Sequence, residues 1–212
     1  MAQPGSAPAR VYRGLAADER RAQRRARLLE AGLDLLAGHG WHATTVTAVC
    51  RSARLTPRYF YESFRDRDEF LVAVFEEIVE EVAQNVRAAL EESPPSVRET
   101  VRANIAAWMK VANDDRRKAR VAFVEALGSE SLMRRRFDAT RRLAEVLSTQ
   151  ARGGGEVAAR RMRALDLAGL VVAGGLIETM VDWLEGGHGR SADELVDDFT
   201  TLSAATFDAA PA

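Results

Sequence analysis

Between Thr56 and Phe64 the chain reads TPRYFYESF, a stretch crowded with side chains that hydrogen-bond and stack. A guanidinium, two phenols and a hydroxyl recognise a partner through non-covalent contacts; they do not form a bond-making centre. Thr56 followed by Pro57 is a helix start, with an N-cap residue and a proline at the position where its missing N–H costs nothing. Phe60 and Phe64 lie one turn apart and face inward, which leaves Thr56, Arg58, Tyr59, Tyr61 and Ser63 on the other faces. Upstream, Thr45 or Thr44 caps a two-turn helix whose Val46, Val49, Cys50 and Ala53 share one face. Ala53-Arg54-Leu55 joins the two. Two short helices around a tight turn, the second rich in polar and aromatic groups, describe a helix-turn-helix with its recognition helix. Shape alone fits an ordinary helical corner equally well.

Catalytic patterns are missing. His39, His42 and His188 fall in predicted loops, with no HExxH, no Cys/His ligand spacing and no nucleophile elbow. Gly153-Gly154-Gly155 has no preceding strand and no following Gly-Lys-Ser, so it reads as a helix connection and not a phosphate loop. The expectation is a protein that is not an enzyme, with no catalytic residue, no metal and no cofactor.

Charge divides unevenly. The net charge is −1, yet residues 1 to 67 hold twelve arginines against six acids, and the remainder is correspondingly acidic. A basic front end on an acidic body orients the chain toward a polyanion. Seven of these arginines precede Leu28, although those from Arg20 to Arg27 also suit a solvated helix face. The single cysteine, Cys50, permits no intrachain disulfide and reads as a small buried hydrophobe. The first residues lack a signal-peptide core, and the apolar run Leu167 to Ile177 is too short for a bilayer, so a cytoplasmic chain with no membrane contact is expected.

The stretch from roughly Arg24 to Val74 resembles the DNA-binding segment of the tetracycline-repressor (TetR) family. The resemblance is carried by Thr44-Thr45, Val49, Leu55-Thr56, Tyr61, Phe64, Arg67 and Glu69. Two positions depart from the family pattern: Arg54 stands where glycine is usual in the turn, and Arg67 replaces lysine. The resemblance implies a DNA interface built from Thr44, Thr45, Thr56, Pro57, Arg58, Tyr59, Tyr61 and Arg67. Within it, Arg58 and Tyr59, assisted by Thr56, would meet base edges, while Tyr61, Arg67 and the Thr45 hydroxyl with its helix N-terminus would hold phosphates.

The elements that must position this segment are all helical. Asp18 opens an amphipathic helix through Leu28, Leu29, Leu33, Leu35 and Leu36 that stops at Gly38-His39-Gly40. Asp66 to Glu69 reads as a capping box that starts a rod of about 40 Å, ended by Ser93-Pro94-Pro95 and linking the basic and acidic parts. Ser96 and Ser191 open further capping boxes, and helices follow near Arg116–Leu127, Glu130–Ala151 and Glu156–Glu185. The organisation expected is all-α: a flexible basic arm over residues 1–17, a helix-turn-helix domain over 18–66, and a helical ligand-binding and dimerisation domain over 67–212.

In that last domain Trp108, Met109, Phe123, Leu127, Phe137, Leu143 and Leu170 are candidates for a ligand pocket, or else plain core. The helix from Glu156 to Glu185 is apolar on more than one face and needs cover from more than one side. A homodimer face containing Leu176, Met180, Trp183, Phe199 and Leu202 supplies it, as the resemblance also implies. The partners expected are double-stranded DNA with a palindromic operator, a second copy of the chain, and a small-molecule inducer of unknown class that releases a repressor. The alternative is a constitutive or architectural DNA-binding dimer without an inducer.

Overall fold

The computed structural model describes residues 9–90, 96–153, 158–187 and 189–211. Among the described residues the fold is all-α, with no strand: α1 (Ala9–Ala43), α2 (Val46–Ala53), α3 (Pro57–Tyr61), α4 (Arg67–Leu90), α5 (Val97–Asp114), α6 (Arg116–Phe123), a 3-10 turn at Glu125–Gly128, α7 (Glu130–Arg152), α8 (Ala159–Leu184) and α9 (Ala192–Asp208). The expected proline stop at 93–95, Gly154, Gly155, Glu156, His188 and the first eight residues of the arm lie outside the described residues. From Ala9 onward the segment expected as an arm is already helical. The chain divides into two compact units, Met1–Val74 and Phe75–Ala212, and the division falls inside α4.

The first unit packs around aromatic rings. Phe60, Phe64 and Phe70 are buried, with centroids 5.0 to 5.4 Å apart, and Leu28, Leu36, Val49 and Leu71 close the core. Gly32 lets α1 approach this cluster, since a Cβ there would lie 2.4 Å from the Phe70 ring. The glycine stop operates at Gly40, whose φ of 75° and ψ of 174° break the helical path before Trp41.

In the second unit α7 pairs with α8 and α5 with α9. Their shared core holds Val101, Leu147, Leu165, Ala168, Val172 and Phe207. Of the three predicted boxes, those at Ser96 and Ser191 form in full. Ser96 Oγ accepts from Glu99 N while the Glu99 carboxylate accepts from Ser96 N at 2.7 Å, and Ser191 and Glu194 repeat the arrangement. At Asp66 the pattern shifts by one residue: Asp66 Oδ1 accepts from Glu69 N at 2.8 Å, but Glu69 reaches back to Arg65 N.

The inward stripe of α8 runs Leu165, Ala168, Val172, Leu176 and Met180, stepping by three and four. Leu167, Leu170 and Val171 face outward and are half exposed or more. The full α8 is long and apolar enough, by length and composition, to cross a membrane, which corrects the expectation drawn from its central run. Its inner stripe is instead core of this unit.

Candidate nucleic-acid interface

The reading head is built from the capping chemistry of α2 and α3. Thr45 Oγ1 accepts from Ala48 N at 3.2 Å and starts α2. At its end Leu55 N donates to Cys50 O and Arg54 N to Arg51 O, the paired bonds of a Schellman motif. This closure needs a left-handed residue, and Arg54 supplies it with φ 54° and ψ 44°. The turn is therefore the usual one made with an unusual residue. Arg27 of α1 braces it by donating to Ala53 O at 2.6 Å.

Pro57 then starts α3, while Thr56 occupies the N-cap position with its hydroxyl not engaged in a cap bond and its side chain exposed. Phe60 is fully buried, which fixes the rotation of this short helix and turns Arg58 and Tyr61 to solvent, their exposures being 84% and 60%. Arg58 Nε donates to Glu62 at 3.2 Å. Tyr59 is half-buried, with the Arg24 guanidinium 4.5 Å from its ring centroid.

Two residues of the expected DNA interface, Thr44 and Arg67, are engaged within the chain. Thr44 is fully buried and its hydroxyl donates to Gly40 O at 2.9 Å, holding the bend after α1. Arg67 is part-buried; its Nε donates to Thr44 O at 2.8 Å, its Nη2 to Trp41 O, and its guanidinium lies 5.1 Å from the Trp41 ring centroid. The physical reason lies in the broken end of α1, whose carbonyls need donors that the helix no longer provides. Arg65 was missed in the sequence. It is strongly exposed and pairs with Asp66 at 2.8 Å. Glu69 N–H and Arg65 together hold the Asp66 carboxyl below its ordinary value.

Residues 28–74 match the model of the bacterial regulatory proteins of the tetR family. That matched segment, the helix-turn-helix, is of the TetR family. A TetR-like transcriptional regulator from Rhodococcus sp. RHA1 shares its fold with TM-score 0.70 and 16% identity, over 88% of this chain and 96% of that one. The fatty acid degradation regulator FadR from Bacillus halodurans gives 0.68 and 19%, over 85% and 94%. FadR from Bacillus subtilis, solved in complex with stearoyl-CoA, gives 0.63 and 17%, over 86% and 95%. No curated protein matches the chain. The matched segment is thus a helix-turn-helix of the kind found in bacterial regulatory proteins of the tetR family, and the chain as a whole shares the fold of these regulators.

The second unit contains a cavity of about 350 Å³ walled by α4, α5, α6, α7 and α8. Of the seven pocket candidates, Trp108, Phe123 and Leu143 line it, with the first two rings edge to face at 4.6 Å. The other four candidates lie elsewhere. Met109 is buried but does not line the cavity, and Leu127, Phe137 and Leu170 point to solvent. The wall that replaces them comes from the second half of α4, from Phe75 to Leu90.

Of the residues assigned to a dimer face, Leu176 and Met180 are buried within the chain, Leu176 on the cavity wall. Trp183 and Phe199 are half-buried, and Leu202 is 69% exposed. The outward apolar side of α8 is the one carrying Leu167, Leu170 and Val171.

Proposed function

We propose that this protein is a cytoplasmic, homodimeric repressor that binds a palindromic operator and is released from it by a small molecule. The observation that carries the reading is the rotation of α3. With Phe60 locked in the aromatic core, Arg58 and Tyr61 stand in solvent, free to enter a major groove. Arg58 with Thr56 and Tyr59 reads bases; Tyr61, Thr45, Pro57 and Arg65 position the backbone. Arg67 and Thr44 support them from beneath.

One such head reads only a few base pairs, so two are required, with half-sites about 34 Å apart or a multiple of that. The exposed apolar residues of α8, with Leu202 on α9, supply the self-association face. The cavity is the inducer site, a reading supported by its apolar walls and by the stearoyl-CoA held by the FadR neighbour from Bacillus subtilis. The inducer acts by favouring the state that binds DNA poorly, and α4 carries the change. Fluorescence anisotropy with a duplex from upstream of the gene and a scrambled duplex, each at two salt concentrations, tests this. A steep salt slope with a clear preference for the upstream duplex is expected; no salt-dependent binding overturns it.

A further inference from the structure

The polar atoms on the cavity wall are not equivalent. Asn104 Nδ2 donates to Thr100 O at 2.9 Å and Thr140 Oγ1 to Arg136 O at 2.9 Å, so these two are turned to backbone. Thr100 is 2% exposed, yet its Oγ1 finds no partner among the described residues, and neither does the buried Oε1 of Gln150. Both residues line the cavity. An unmatched buried hydroxyl and amide oxygen cost more than a matched pair, so these atoms define a station for a ligand group. A group that accepts from Thr100 and donates to Gln150 is a hydroxyl or a carboxamide, since an ionised carboxylate has nothing to donate.

The charged residues of the wall are all arginines: Arg87, Arg136 and Arg142. Arg87 is held by Glu80 at 2.6 Å, and Arg142 is exposed. Arg136 is part-buried. Its Nη1 donates to Phe123 O at 3.4 Å, and burial pulls its pKa down against the opposing charge of Glu178. A desolvated guanidinium with one long bond is a station for an anion. Arg136 and Gln150 sit fourteen residues apart on α7, roughly 20 Å along the helix. Leu143 and Val146 fall between them on α7, and Val79, Val82 and Val86 of α4 line the same cavity.

Taking the cavity as the inducer site, we infer that its ligand is an elongated amphiphile with an acidic group at Arg136 and an uncharged hydroxyl or carboxamide at Thr100 and Gln150. A plain long-chain acid would satisfy only the first station.

Calorimetry on the full chain with 16-hydroxyhexadecanoic acid, hexadecanoic acid and 1-hexadecanol, below their micellar concentrations, tests this. The hydroxy acid should bind about tenfold tighter than the plain acid. Thr100→Val should erase that advantage without weakening the plain acid, and Arg136→Gln should weaken both acids about tenfold and leave the alcohol unchanged. Ala139→Phe, which fills the cavity, should abolish all three while operator binding, read by anisotropy, persists. Equal affinity of the three probes, abolished by Ala139→Phe, overturns the ligand class and leaves the inducer site standing. Binding unaffected by Ala139→Phe overturns the site itself. A hydroxyl advantage that survives Thr100→Val, or no binding of any probe, also overturns the inference.

Discussion

Arg24 of α1 lies across Tyr59 of α3, its guanidinium 4.5 Å from the ring centroid, and so fixes a recognition-helix side chain from a different helix. The same guanidinium reaches Glu62 at 3.5 Å, and Glu62 also accepts from Arg58. Glu62 is therefore a hub that holds two cations and places a negative charge beside the DNA-facing surface. Glu62→Gln should raise affinity for random duplex about threefold and raise operator affinity less, so that the specificity ratio falls. Anisotropy titrations on the two duplexes measure that ratio; an unchanged ratio would mean that Glu62 is a bystander.

Three arginines near the reading head should separate by phenotype. Arg58→Ala should cost about 1–3 kcal/mol on the operator and little on scrambled DNA. Arg65→Ala should weaken both alike and lower the salt slope by about one. Arg67→Ala should act on the fold, because it leaves the Thr44 carbonyl without its side-chain donor and the Trp41 carbonyl with only the 3.3 Å bond from Thr44 N, at a cost of about 1–3 kcal/mol in urea unfolding. Uniform loss of affinity from Arg58→Ala would refute its base-reading role.

Arg54 occupies left-handed backbone that favours glycine. Arg54→Gly should relieve about 1 kcal/mol of strain, partly offset by the greater freedom of glycine in the unfolded chain. A rise of a few degrees in the unfolding midpoint is expected. A fall would show that the Arg54 side chain contributes more than its backbone costs.

Helix caps should set the acid limit. The Glu99 and Glu194 carboxyls are lowered chiefly by accepting the backbone N–H of Ser96 and Ser191, and Asp66 by that of Glu69. Carboxylates with depressed folded-state values contribute fully above their ordinary values, 4.5 for Glu and 3.8 for Asp, and lose the contribution as pH falls through the lowered ones. Circular dichroism should show helix loss beginning below about pH 4.5. Ser96→Ala with Ser191→Ala should destabilise at neutral pH and flatten that acid dependence.

Leu202→Glu and Val171→Glu should convert the proposed dimer to a folded monomer with weak operator binding, since both residues face outward. Leu176→Glu should unfold the second unit instead, because that side chain is core. Sedimentation velocity with circular dichroism distinguishes the outcomes; a dimer that survives both outward substitutions would place the interface elsewhere.

Helix order, the Thr45 and Ser capping residues, and the inward Phe60 and Phe64 were legible because capping and periodicity are local. The left-handed turn at Arg54 was legible as a conflict between a required conformation and its residue. What was not legible was direction. The sequence shows α8 as apolar nearly all round, but which stripe meets α7 depends on the close contact at Gly169, so Leu176 and Met180 were put on the wrong side. Arg67 reads as a surface cation until the bend at Gly40 exposes carbonyls that need it. Leu127, Phe137 and Leu170 looked like pocket residues because apolar type alone does not tell a cavity from a contact face.

A Cβ added at Gly169 would lie 2.5 Å from the carbonyl oxygen of Ala144, a collision with backbone and not with a movable side chain. The separation of α7 and α8 is thus gauged by a single hydrogen atom, and both helices bound the same cavity. Any larger residue at 169 would wedge the bundle open and recalibrate the size of molecule that the cavity admits, without altering a residue that lines it.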